Sequence, residues 1–172
     1  CIVSDEIGCD WTRFQQLGER GEVARRDHAP QDEMALLLAA LGLIAGPIAV
    51  DADQKHWLWL RDDPIVYSRV ETAIVDAAHR LGYLGCELQR PDVAMWAADK
   101  GLTVVPEQEA LFRIQMSAAA LAGDDSTIDS VFRQAQRSAR PHGDGVQPET
   151  ELLYRRLVGL GQRRRARQEG TG

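Results

Sequence analysis

Residues 64–106 read PIVYSRVETAIVDAAHRLGYLGCELQRPDVAMWAADKGLTVVP, and their spacing decides the fold. Val66, Val70, Ala73, Ile74, Ala77, Leu81, Leu84 and Leu88 recur at intervals of three and four, which places them on one helix face. Pro91 and Asp92 suit the first turn of a second helix, with Val93, Ala94, Ala97 and Ala98 as its small packing residues. Gly101 is expected to end or fray that helix, and Pro106 separates it from the next. The pair Leu81-Gly82, the small residues Ala94 and Gly101, and Pro106 stand where a helix–turn–helix repeat of about 34 residues keeps its Leu-Gly pair, its crossing residues and its closing proline. Large side chains would hold the two helices apart, so small residues at the crossings have a direct physical purpose.

A shift of about 34 residues brings Phe112, Phe132 and Ala135 to the apolar positions of a second unit, whose closing proline falls on Arg140, one short of Pro141. This phasing favours tandem hairpins over an unrelated helix bundle. The expected fold is all-α: tetratricopeptide-like stacked helical hairpins, a right-handed α-superhelix of about seven helices.

Working outward, Glu107 and Glu109 fit a helix N-terminus, where the helix dipole favours acids. Leu111, Ile114, Ala118 and Leu121 are the expected buried stripe of that helix. Gly123-Asp124 makes a turn, and Ser126 to Asp129 reads as a capping box. Ile128, Val131, Phe132, Ala135 and Ala139 form the next stripe. Pro148, followed by Glu149 and Glu151, starts a last helix carrying Leu152, Leu153, Leu157 and Leu160. Upstream, Asp10 can cap a short helix bearing Trp11, Phe14 and Leu17 that ends near Gly21. Asp32 opens a strongly apolar helix that Gly46-Pro47 should stop, and residues 47–63 read as a connecting loop. Met34 to Val50 carries no charge and imitates a membrane span, but Gly46-Pro47 interrupts it and Asp32-Glu33 precede it. A buried core helix is the better reading, with no membrane contact.

The length of 172 residues suits one domain and is enough to bury a core without disulfides or metal. An apolar content of 44% with a net charge of -6 excludes intrinsic disorder. The charge is uneven. Residues 152–172 hold six arginines against Glu169, a charge of +5, so the remainder carries -11. The body is therefore a poor match for a phosphate backbone. Arg163, Arg164 and Arg165, with Arg155 and Arg156 upstream, are candidates for contact with nucleic acid or an acidic partner, against the plainer reading of a solvated chain end. Cys1, Cys9 and Cys86 are too few and too scattered for a disulfide framework or zinc site, which points to a reducing, cytoplasmic setting.

No reactive constellation emerges. His79 and Cys86 lie two helical turns apart, about 10 Å of rise, beyond the hydrogen-bond reach that a Cys–His nucleophile needs. The four histidines fall in separate segments without metal-ligand spacing, and there is no phosphate loop, nucleophile elbow or dinucleotide fingerprint. No enzyme, cofactor or metal site is expected. Trp96 reads as core. Trp57 and Trp59 share the period of an extended segment, so one of them is a candidate interface anchor.

The chain resembles the bacterial transcriptional activator domain, the helical effector module of the Streptomyces antibiotic regulatory protein family and related actinobacterial regulators. The resemblance spans Asp10 to Val158. Asp10-Trp11 with Phe14 and Leu17 is similar to the family's first-helix signature, Glu33 to Pro47 to its apolar segment ending Gly-x-Pro, and Trp57 to Leu60 to the segment that follows. Phe132, Ala135-Gln136-Arg137 and then Gly145 to Leu152 with Tyr154 and Leu157 resemble the family's closing motif, with Phe132 in place of the usual Tyr. The resemblance implies a non-catalytic effector domain over 10–160, with 1–9 trailing from a preceding domain or linker and 161–172 as a basic flexible tail. It implies DNA contact only through a winged helix outside this sequence, and a protein partner such as an RNA polymerase subunit or a second copy in a self-dimer. A different class of function is a helical interaction scaffold in a LysM-containing, envelope-associated protein.

Overall fold

The computed structural model describes residues 5–44, 64–139 and 145–169. All seven elements among them are helices: α1 (Asp5–Arg26), α2 (Pro30–Gly42), α3 (Pro64–Glu87), α4 (Pro91–Val104), α5 (Glu109–Ala122), α6 (Asp125–Ala139) and α7 (Pro148–Glu169). Consecutive helices pair into three hairpins, α1–α2, α3–α4 and α5–α6. Each hairpin stacks on the next, α2 against α3 and α4 against α5, and α7 closes the array on α5 and α6. This is the stacked-hairpin fold that the spacing predicts.

One turn design makes all three hairpins. His28, Gln89 and Gly123 each adopt the left-handed conformation, at φ 55°, 56° and 76°. The residue after each donates its N–H five residues back: Ala29 to Ala24 at 2.9 Å, Arg90 to Gly85 at 2.7 Å and Asp124 to Ala119 at 2.9 Å. Helix ends are commonly satisfied in this way. In two of the turns the next residue, Pro30 or Pro91, begins the following helix. Gln89 and Gly123 are one repeat length apart, so the periodicity lives in the turns as well as in the helices.

The glycines and alanines of the quoted stretch are where helices touch. A Cβ on Gly101 would lie 2.5 Å from Leu111 Cδ1 and 2.9 Å from Ala78 Cβ. One on Gly85 would lie 2.8 Å from the Ala94 backbone nitrogen, and one on Gly82 2.7 Å from Ile114 Cγ2. Gly101 therefore joins α4 to both α3 and α5. A continuous core runs through the hairpins, from Phe14, Leu37 and Leu41 through Ile74, Leu81 and Ala97 to Phe112, Met116, Ile128 and Leu157.

Several boundaries differ from the sequence reading. Helix α1 begins before Asp10, which is an exposed interior residue and not a cap. It also runs through Gly21, which packs on Leu37, and stops only at the left-handed turn of His28. Helix α2 ends at Gly42, ahead of Gly46-Pro47, and the Lys100 ammonium donates to the Ile44 carbonyl just beyond it at 2.5 Å. Gly101 is a helix-interior packing residue, not a terminator. Asp124, not Ser126, caps α6: its carboxylate accepts from the Thr127 N–H at 3.0 Å and from the Ser126 and Thr127 hydroxyls. Leu121 is exposed in the last turn of α5, and the buried face of that helix instead includes Phe112, Gln115 and Met116 in its earlier turns. Leu152 and Leu160 are exposed because α5 and α6 cover the other side of α7.

Candidate functional site

The first helices of the hairpins, α1, α3 and α5, form one row. Helices α3 and α5 pack directly, with Gly82 giving room to Ile114. Helices α1 and α3 leave between them a cleft of about 530 Å³ with α2 contributing to its floor. Phe14, Leu37, Ala40, Val70, Ala73 and Ala77 make the apolar lining. Toward the start of α1, the Trp11 ring stacks on Phe14 with centroids 5.4 Å apart and planes 12° from parallel. Trp11 is only partly buried, so the cleft presents an aromatic surface beside its aliphatic floor.

Charged groups rim this surface. Glu19, Glu22 and Asp76 stand with Arg69 around the opening, and Arg80 and Glu33 form an ion pair within it. Hydrogen bonding to Glu33 is the main cause that raises the Arg80 pKa. The lining holds four acids against two arginines, and with Glu33 paired to Arg80 and Glu22 to Arg25 the negative excess rests on Glu19 and Asp76. Apolar area ringed by charge of one prevailing sign is suited to an amphipathic segment of a protein partner.

A second polar cluster fixes α7 onto α5. The Glu109 carboxylate accepts from the Gln147 N–H at 2.9 and 3.1 Å and from the Thr150 hydroxyl at 2.7 Å. The Arg113 guanidinium donates to Gln147 Oε1 at 3.0 Å and to Thr150 Oγ1 at 2.9 Å. One turn on, Tyr154 lies flat against Phe132, with centroids 3.9 Å apart and planes within 3°, and its hydroxyl donates to Asp129 at 3.0 Å. Gly145, at φ 69°, lets the chain turn into Val146-Gln147-Pro148. The closing sequence motif is thus a clip: it satisfies the N-terminus of α7 and buries Thr150 completely.

None of the described arginines of the sequence reading reaches the cleft. Arg155 is exposed and pairs with Glu151 at 2.6 Å along α7, and Arg156 and Arg163 are exposed on the same helix. Helix α7 continues through positions 164 and 165, but the side chains of Arg164 and Arg165 lie outside the described residues, as do Trp57 and Trp59. Sequence reasoning placed Phe14 and Val70 on helix stripes but missed that Trp11 shares their cleft with Arg80 and Glu33. Only the order of the hairpins brings these residues together.

Trp96 is partly buried, with the Lys100 ammonium 5.6 Å from its ring centroid. Burial pushes the Cys86 thiol above its ordinary value, the direction that suppresses a nucleophilic thiolate. His79 meets the Tyr83 ring edge-on at 4.7 Å and is held below its ordinary value, first by burial and then by the Arg113 charge. Among the described residues, no group of three or more His, Cys, Asp or Glu is placed to hold a metal, and no helix is long and apolar enough to cross a membrane.

The fold and the cleft define the class: an array of antiparallel helical hairpins with an open groove between its first two members. The chain belongs to the bacterial transcriptional activator domain family, whose model matches residues 9–157. No curated protein and no solved structure matches it.

Proposed function

We propose that this chain is the non-catalytic, protein-interacting effector domain of an actinobacterial transcription regulator, acting in the cytoplasm beside a DNA-binding winged helix supplied elsewhere in the parent protein. The observation that carries this reading is the cleft between α1 and α3, set in a domain of the activator family. A partner helix with an apolar stripe and basic flanks would cover Trp11, Phe14 and Val70 and meet Glu19 and Asp76 at the rim. The proposed partner for the cleft is an RNA polymerase subunit. In this reading the domain carries no chemistry of its own and couples promoter binding to recruitment.

The experiment is a reporter assay with the domain fused to a heterologous DNA-binding domain, together with binding of purified RNA polymerase subunits to immobilised domain. Val70→Arg and Trp11→Ala should cut activation and subunit binding while the circular-dichroism spectrum stays helical. Full activation by both cleft variants would defeat the proposal, as would the absence of any polymerase binding and any activation by the unaltered domain.

A further inference from the structure

Helix α7 is charge-polarised along one exposed face. Glu149, Leu152, Arg156, Leu160 and Arg163 follow one another at steps of three and four, and all five are exposed. Leu152 and Leu160 are among the most exposed large apolar residues described, at 64% and 43%. Helices α5 and α6 pack on the other side of α7, and α7 lacks among the described residues the second helix that completes each earlier hairpin. The acid lies in the first turn of the helix and Arg163 about 21 Å further along its axis.

We infer that a second copy of the chain covers this face, α7 pairing antiparallel with α7 across a twofold axis near Arg156. Reversal about that point sets Leu152 against Leu160 of the second copy and Glu149 against its Arg163, twice over by symmetry. A parallel pair would instead bring Glu149 against Glu149 and Arg163 against Arg163. The stripe is therefore self-complementary in one orientation only, as a closed twofold interface requires. Gly159, with open space around it, leaves room for the Arg156 side chains at the axis. The Arg155–Glu151 pair flanks the stripe and is left intact. The inference deepens the reading of this chain as an interaction module and rests on it. It uses a surface separate from the cleft, which leaves the cleft of each copy open to another partner.

Sedimentation equilibrium of the whole chain tests it. The unaltered chain should show a reversible monomer–dimer equilibrium. Glu149→Arg or Arg163→Glu alone should weaken dimerisation by about tenfold or more, while the double reversal should restore it. Leu152→Ser with Leu160→Ser should give a monomer of unchanged helicity, since both leucines are exposed, with a melting temperature that no longer depends on concentration. A chain that stays monomeric at millimolar concentration overturns the inference. So does a dimer indifferent to the single reversals, or a double reversal as monomeric as either single one. A dimer abolished by Val70→Arg in the cleft would also overturn it. A monomer that still binds polymerase and activates would sink the pairing alone and leave the proposed function standing.

Discussion

Arg80 on α3 and Glu33 on α2 form a two-point ion pair across the first two hairpins, Nε to Oε1 at 2.6 Å and Nη2 to Oε2 at 2.7 Å. Glu33 is almost wholly buried at 3% side-chain exposure, whereas Arg80 keeps a third of its surface in water. The pair ties the first hairpin to the second at the wall of the cleft. Its geometry matches the forked guanidinium to both carboxylate oxygens.

Removing Arg80 should cost more than the pair itself is worth, because it strands a buried carboxylate. Arg80→Met is expected to destabilise by about 2–4 kcal/mol, at or below the usual range for breaking a buried pair because Arg80 is partly solvated. Adding Glu33→Leu should recover much of the loss. Urea denaturation of the two variants checks this, and equal losses in single and double variants would contradict it.

Gly101 is the tightest point between α3, α4 and α5. Alanine there gains helix propensity of about 1 kcal/mol but forces its methyl against Ala78 and Leu111. The Ala78 neighbour is a Cβ on a fixed backbone and cannot swing away. Gly101→Ala should therefore be destabilising by about 1–3 kcal/mol, as overpacked cores are. A variant as stable as the parent in thermal unfolding would refute the close-approach account.

Gln89 makes the same left-handed turn that glycine makes at position 123. Its side chain returns a single long hydrogen bond, to the Cys86 carbonyl at 3.3 Å. Gln89→Gly should raise stability by roughly 0.5–1 kcal/mol, because glycine adopts this conformation without a Cβ penalty. A rise in melting temperature is the readout.

The hairpin order was legible because helix crossings demand small residues at fixed spacing, and Leu81-Gly82, Ala94 and Gly101 supply them. The family's closing motif was legible as a pattern, though not as a clip, since the bonds from Glu109 and Arg113 to Gln147 and Thr150 join residues nearly forty positions apart. Helix ends were misplaced where a side chain from another hairpin finishes the job, as Lys100 does beyond α2. Leu152 and Leu160 have the composition of a buried stripe, and only the position of α5 and α6 shows that they face outward. Trp57 and Trp59, the aromatic candidates from sequence, lie outside the described residues, whereas Trp11 lines the cleft.

The cap of α6 should make its own contribution to acid sensitivity. Hydrogen bonds from Thr127 and Ser126 hold the Asp124 carboxyl at about 2, below its ordinary 3.8. The folded form thus favours the ionised cap. Its stabilisation is fully present above about pH 4, where the unfolded chain is ionised too, and is lost as pH falls toward 2. Asp124→Ala should lower the melting temperature at pH 7 and flatten the dependence of stability on pH between 4 and 2. A parallel curve displaced by a constant amount would show that the carboxylate is not the titrating cap.

His79 should act with the same sign in a higher window. Burial, chiefly, and the positive Arg113 across from it on α5 lower its pKa below 6.5, with Asp76 on its own helix opposing them. Neutral imidazole is favoured in the folded state, so the unfolded chain binds the proton more readily. Stability tied to His79 is therefore complete above pH 6.5 and declines as pH drops through the folded value. His79→Gln removes the titration and should leave stability flatter over that interval, and it removes the edge-on packing against the Tyr83 ring at every pH. Replacing Arg113 by Met should move the His79 titration upward, which a histidine-resolved proton NMR titration reads directly. Because Arg113 also holds Gln147 and Thr150, that variant should loosen α7 as well, seen as faster amide exchange in its first turns. An unchanged His79 titration in the Arg113 variant would assign the lowering to burial alone.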